Sequence, residues 1–340
     1  MSKISVIGAG SWGTALAIVL ANKNYDVVLW SKLESEITLL KTHREHIERL
    51  PGVKLPDNIE IVSDLEYACS DADLMVFAVA SPYVRSTANE VKPFLKDGQI
   101  IVNVAKGIEE NTLMTLSEVI EDVLANANVA VLSGPSHAEE VSKGIPTTVV
   151  VGSKSKQAAS LIQDTFMTDT FRVYTSPDVI GIELGGSLKN VIALAAGIAD
   201  GLGYGDNTKA ALMTRGIAEI SRLGKKMGGT IETFAGLSGI GDLIVTCTSK
   251  HSRNRNAGYL IGQGYTMKEA MNEVKQVVEG VYSAKAALDL ANKYNVPMPI
   301  VEQINLVLFN NKSPKDAVAD LLMRNKAKEY LELGWDKEYR

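Results

Sequence analysis

An α/β chain with a doubly wound N-terminal sheet and an all-helical C-terminal domain is what the sequence predicts, on three observations. Short apolar, β-rich runs alternate with helical patterns through the first half. A glycine-rich turn follows the first of those runs directly. After Pro177 strand signals nearly vanish and helical patterns take over. Alternation of this kind builds a parallel sheet covered by helices on both faces.

Strands are expected at Ile4–Ile7, Val27–Trp30, Ile59–Val62, Leu74–Ala78, Ile100–Val104, Val129–Leu132, Thr147–Val151 and Phe171–Tyr174. They are mostly apolar throughout, as strands buried on both faces require. Helices are expected between them, including Thr14–Lys23, Leu113–Ala125 and Gln157–Met167. Asn24 stands before the second strand, where a helix-ending glycine is common, and asparagine also tolerates the left-handed conformation. Past a boundary placed near Asp178, helices are expected at Val179–Ala199, Lys209–Met227, Met267–Glu273, Ala284–Asn295 and Ile300–Phe309. The charged end from Arg324 to Arg340 reads as a solvated helix or tail.

Length and composition agree with this division. A chain of 340 residues exceeds one ordinary core and favours two domains. With 46% hydrophobic and 22% charged residues, wholesale disorder is disfavoured. The net charge of −5 argues against nucleic acid as the main partner and leaves room for a local anion pocket. Cys69 and Cys247 match no metal-ligand spacing and read as free thiols of a reducing compartment. The apolar stretch Val179–Ala199 carries Glu183, Lys189 and Asn190, which are costly in a bilayer, so it reads as a buried helix of a protein without a membrane span. No targeting pattern precedes Ile4, and a cytoplasmic location is expected.

Gly8-Ala9-Gly10-Ser11-Trp12-Gly13 fits the GxGxxG pattern, and it follows a strand and opens a helix, the context in which that pattern binds dinucleotides. Gly8 permits the tight turn, Gly10 admits the pyrophosphate, and Gly13 lets helix and strand pack closely. The helix N-terminus then offers free N–H groups and partial positive charge. A Rossmann-type NAD(P)-binding domain over residues 1–177 is therefore expected, followed by a helical substrate and catalytic domain over residues 178–335. Ser31 and Lys32 stand where an NAD-selective site usually has an acidic residue, with Glu34 the nearest carboxylate. That pattern tolerates a 2′-phosphate, so NADP(H) is expected as the preferred cofactor, with NAD(H) also usable.

Hydride transfer from a nicotinamide to a carbonyl needs a proton for the developing alkoxide, which a lysine can supply. Lys189 lies in an apolar helical run where desolvation favours its neutral form; the alternative is a lysine reaching out to the surface. Lys106 follows a strand at the carboxyl edge of the sheet, and could hold the substrate oxygen or be an ordinary loop lysine. Asp242 could orient Lys189 or a substrate hydroxyl, or equally cap the helix beginning at Leu243. Ser252-Arg253-Asn254-Arg255 reads as an arginine-rich loop suited to a phosphate, although such loops are more often solvated. His137, in the Gly134–Ala138 loop, reads as a satisfied structural histidine, with support of the site from behind as the alternative. His43 and His46, three apart on a charged helix, read as a solvated face rather than a metal site. No metal is expected.

Several segments together resemble one family. They are Asn103-Val104-Ala105-Lys106-Gly107, Ser133-Gly134-Pro135-Ser136-His137-Ala138 and Leu188-Lys189-Asn190-Val191. Gly239-Ile240-Gly241-Asp242-Leu243, Ser252-Arg253-Asn254-Arg255 and Val277-Val278-Glu279-Gly280 follow in order. With the glycine turn, these are similar to the motif set of bacterial NAD(P)H-dependent glycerol-3-phosphate dehydrogenases. The resemblance implies interconversion of sn-glycerol 3-phosphate and dihydroxyacetone phosphate, supplying phospholipid synthesis. It implies Lys189 as general acid/base, with Lys106, Gly134, Ser136, Asp242, Ser252, Arg253 and Asn254 lining the substrate. Asn190 and Thr246 match polar positions near the reacting centre. Ser11, Trp12, Lys106, Ala138, Arg253, Val277 and Glu279 would contact the cofactor. Two alternatives stay open: another two-domain hydroxyacid dehydrogenase, and a non-catalytic dinucleotide-sensing protein. Helical C-terminal domains often supply packing faces, which is compatible with a homodimer.

Overall fold

The computed structural model describes residues 3–275, 277–326 and 328–329. Its first half runs β1 (Lys3–Ile7), α1 (Ser11–Ala21), β2 (Asp26–Trp30), α2 (Glu34–His43), β3 (Ile59–Val62), α3 (Leu65–Cys69), β4 (Leu74–Phe77) and α4 (Val84–Val91). It continues through β5 (Ile100–Asn103), α5 (Leu116–Val123), β6 (Asn128–Ser133), α6 (Ala138–Val141), β7 (Thr147–Ser153), α7 (Lys156–Phe166) and β8 (Phe171–Ser176). The strands form one sheet in the order β3-β2-β1-β4-β5-β6-β7-β8. All neighbours are parallel except β6 and β7. Each of the eight expected strands is present, and β1 through β6 carry the doubly wound order.

Helices occupy both faces, and each face has its own core. Leu16, Leu20, Leu29, Val76 and Val151 pack together on one side. Trp30, Phe77, Val84, Ile101 and Ile120 pack on the other. The left-handed turn after α1 does fall on Asn24, at φ 63°. The helix expected from Leu113 begins later, at Leu116, because Leu113 itself is left-handed (φ 61°) and the Glu118 side chain accepts from the Thr115 amide at the new start.

From residue 179 onward the described chain is helical: α8 (Val179–Gly201), α9 (Asp206–Lys226), α10 (Ile231–Phe234), α11 (Asp242–Thr248), α12 (Arg253–Gly262), α13 (Met267–Val274), α14 (Glu279–Lys293), α15 (Pro299–Phe309) and α16 (Pro314–Leu322). Of these, α11 is legible in the sequence only as a possible helix from Leu243, and α10, α12 and α16 are not legible as helices, being short or opening on polar residues. α8 is apolar on nearly every side because α9, α11, α12 and α14 surround it. It is long and apolar enough to cross a membrane, yet 94% of its apolar window is buried inside the protein. Most of the expected charged tail from Arg324 to Arg340, and the end of the division proposed to reach residue 335, lie outside the described residues.

Candidate active site

The C-terminal ends of β1, β4, β5 and β6 open onto a cleft of about 990 Å³ whose far wall is built from α8, α11, α12 and α14. Every site residue expected from sequence lines it except Gly13, Gly134 and Asp242, which lie just behind its surface. Gly8 turns at φ 118°, and a Cβ there would lie 2.8 Å from the Ala78 carbonyl carbon. A Cβ on Gly13 would lie 2.0 Å from the Gly8 oxygen. Only glycine allows α1 to start this close to the sheet. Gly10 caps α1 without a side-chain bond, which leaves the first-turn amides facing the cleft beside Ser11 and Trp12. That cradle suits a pyrophosphate, so the residues present fit a nicotinamide dinucleotide.

Two lysines converge on one buried carboxylate at the cleft floor. Lys189, 6% exposed on α8, donates to Asp242 Oδ1 at 2.6 Å and to Thr246 Oγ1 at 2.6 Å. Lys106, after β5, donates to Asp242 Oδ2 at 2.7 Å and to the Gly134 carbonyl at 3.1 Å. Asp242 is 1% exposed and opens α11. Its two oxygens are taken by the lysines, and its carboxylate makes no cap bond among the described residues; of the sequence readings of Asp242, the geometry contains the pairing with Lys189 and not the helix cap. The Gly236–Gly241 turn aims it there, and a Cβ on Gly239 would collide with the Phe234 oxygen. Burial pushes the Lys189 ammonium down to about 8, with Asp242 pulling it up and the Lys106 charge pushing it down.

The second wall is an amide network. Asn254 donates to Asn190 Oδ1 at 3.0 Å and accepts from the Gly280 amide at 2.8 Å. Asn190 in turn donates to Glu279 Oε2 at 3.4 Å. Burial pushes the Glu279 carboxyl up, while the charges of Arg253 and Lys106 draw it down. The Ser252–Arg255 segment is not a loop: Ser252 caps α12, its hydroxyl accepting from the Arg255 amide at 3.2 Å. A short polar helix start has the same composition as a polar loop, so the sequence could not separate them. Arg253 and Ser252 thus face the cleft from a helix N-terminus, a setting that suits an anion. Arg255 turns away to pair with Asp200 at 2.6 Å.

The cofactor end differs more from expectation. Lys32 lines the cleft but is exposed and paired with Glu90 at 2.6 Å. The carboxylate beside Ser31 is Glu36, not Glu34. It accepts from Ser31 Oγ, and it holds His46 at 3.3 Å and Arg49 at 3.1 Å. His46 therefore lies beyond the end of α2 and is 2% exposed, not on a solvated face, because the chain folds back over α2. Glu36 and Arg49 were missed, since nothing local marks a charge pair thirteen residues apart as lining a cleft. His137 is not fully satisfied either: its Nε2 is buried and has no hydrogen-bond partner among the described residues. Its ring lies 5.9 Å from that of His251, and burial together with the Lys189 charge lowers its basicity. No cluster of metal-ligating side chains occurs among the described residues, and Cys69 and Cys247 are both free and buried.

Comparison with known proteins agrees with this geometry. Residues 3–159 match the family model for the NAD-dependent glycerol-3-phosphate dehydrogenase N-terminus, and residues 178–319 match the model for its C-terminus. The glycerol-3-phosphate dehydrogenase [NAD(P)+] of Agathobacter rectalis is 63% identical over 98% of this chain and 100% of that protein. Its counterpart in Fusobacterium nucleatum is 57% identical over 97% of this chain and 99% of that protein. The crystal structure of glycerol-3-phosphate dehydrogenase from Coxiella burnetii superposes with a TM-score of 0.92 at 37% identity, covering 95% of this chain and 99% of that one. With a dinucleotide cradle and a lysine–aspartate–lysine cluster facing each other across one cleft, and with similarity running through both halves, the chain belongs to the NAD-dependent glycerol-3-phosphate dehydrogenase family.

Proposed function

We propose that Lys189 is the general acid/base in the NAD(P)-dependent interconversion of sn-glycerol 3-phosphate and dihydroxyacetone phosphate, the reaction of this family. The observation that carries the reading is the convergence of Lys189 and Lys106 on the buried Asp242. A bound nicotinamide supplies or accepts the hydride at the substrate carbon. In reduction, the Lys189 ammonium gives its proton to the carbonyl oxygen as negative charge develops there; in oxidation, the neutral amine takes the hydroxyl proton. A value of about 8 leaves both forms within reach near neutral pH. Lys106 holds the same oxygen electrostatically, and Asp242 keeps both ammonium groups aimed. Arg253 and Ser252, with the N-terminus of α12, take the phosphate. That remote binding energy positions the carbonyl between the lysines.

The same reading divides the chain after Pro177 into a cofactor-binding part and a catalytic part. It takes NADP(H) as the preferred cofactor, and it assigns the product to phospholipid synthesis in the cytoplasm. A homodimer without nucleic-acid or membrane partners completes it. The test is oxidation of NADPH and of NADH by purified protein with dihydroxyacetone phosphate, and with unphosphorylated dihydroxyacetone as control. Turnover that depends on the phosphate supports the assignment. Equal turnover of both ketones points to another hydroxyacid-type dehydrogenase, and tight cofactor binding without turnover points to a sensor.

A further inference from the structure

We infer that Glu183 and Ser187, one turn apart on α8, are positioning residues that seat the Lys106 loop and so set where the second lysine meets Asp242. The inference rests on the reading of Lys106 above. Residues four apart lie on the same helix face, and here that face grips both flanks of Lys106. Upstream, Glu183 Oε1 accepts from Asn103 Nδ2 at 3.3 Å. The Asn103 amide in turn clamps the turn leading to Lys106, accepting from Ala105 N at 3.1 Å and donating to Ala105 O at 3.2 Å. Downstream, Ser187 Oγ donates to the Gly107 carbonyl at 3.0 Å. Between them the Lys106 stem packs on the helix at Gly186, where a Cβ would meet Lys106 Cγ and Cδ at an ordinary contact distance of 3.7 Å and Ser133 Oγ more closely, at 2.8 Å.

Glu183 is otherwise hard to account for. It is 5% exposed and faces Asn103, 0% exposed, and Ser117, 4% exposed, with the Ser117 amide donating at 2.9 Å and the Ser117 hydroxyl donating to Oε2. A buried carboxylate held by neutral donors alone adds little to stability compared with an apolar side chain. What it does provide is a fixed link from the α8 backbone to the strand end that carries Lys106. One helix thus bears Lys189 and also holds the loop bearing Lys106, so the spacing of the two cations is set by a single rigid body.

The experiment is a set of double-mutant cycles read as kcat/KM for dihydroxyacetone phosphate, alongside the NADPH Kd from fluorescence titration. E183A is expected to lower kcat/KM by about tenfold or more, with the cofactor Kd within about twofold. E183Q is expected to stay within about threefold of the wild type, because its oxygen can serve Asn103 and Ser117 N while the Ser117 hydroxyl turns to accept from its amide. In a K106A background the E183A loss is expected to vanish. S187A removes one hydroxyl, and it carries the same test with a loss of roughly threefold should E183A fail to fold. Losses that multiply undiminished in crippled K106A protein would overturn the inference alone, as would an E183Q as damaging as E183A. A K106A protein with wild-type turnover would overturn the reading of Lys106 and the inference with it.

Discussion

Replacing Asp242 with asparagine removes one charge from the floor of the cleft while keeping an oxygen for Lys189, and its consequence can be worked from the geometry. Lys189 stands at about 8 as the balance of burial and Lys106 pushing its ammonium down and Asp242, 2.6 Å away, pulling it up. An opposite charge at that range is worth roughly one to three pH units. With it gone, burial and Lys106 are opposed only by the more weakly acting Glu279, and Lys189 drops further below its ordinary value. At pH 7 the protonated fraction, about nine in ten for a group at about 8, then falls. The assay is the pH profile of kcat/KM in both directions. If Lys189 has the proposed role, wild-type reduction is expected to decline as pH rises through about 8, and oxidation to rise through the same value. In D242N both limbs are expected to move to lower pH by one unit or more. Limbs that stay in place, or move to higher pH, would refute the claim that Asp242 sustains the Lys189 ammonium.

Three further outcomes follow from named contacts. Burial raises the Glu219 carboxyl to about 7 although the Ile300 and Val301 amides donate to it. The unfolded chain ionises this group near 4.5 and the folded protein near 7, so it lowers stability as pH rises between those values. Urea unfolding should show E219Q gaining on the wild type by up to ~3 kcal/mol from pH 4.5 to 7.5, and a pH-independent difference would contradict this. Arg49 edges the cleft beside Gly10, held there by the buried Glu36, whereas Lys32 is exposed and paired with the surface residue Glu90. R49A is therefore expected to raise KM for NADPH roughly tenfold, with a smaller change for NADH and for K32A; equal losses for both cofactors would rule out a 2′-phosphate role. G8A places a Cβ against the Ala78 carbonyl at φ 118°, and should weaken cofactor binding more than tenfold and lower Tm, as titration and a melting curve would register.

Much of the fold was legible because its signals are local. Eight apolar runs and one glycine turn act through residues adjacent in sequence, so strand positions and the cradle at Gly8–Gly13 could be read directly. Helix starts were harder. Arg253–Gly262 opens on polar residues that describe a loop equally well, and only the Ser252 cap distinguishes them.

For the site, the sequence by itself determined residue types and family: a lysine in an apolar helix, a lysine after a strand, and an aspartate among glycines. What those residues do to one another is a matter of packing. Lys106 and Asp242 are 136 positions apart and Lys189 and Asp242 are 53 apart, and no local propensity encodes their meeting. The burial that lowers Lys189 exists only because α9, α11, α12 and α14 enclose α8. The same holds for the links no pattern suggested, Glu183 to Asn103 and Glu36 to Arg49. Periodicity and turn chemistry act over a few residues and can be read from the chain; desolvation and charge pairing depend on which surfaces close over one another, and only the tertiary structure decides that.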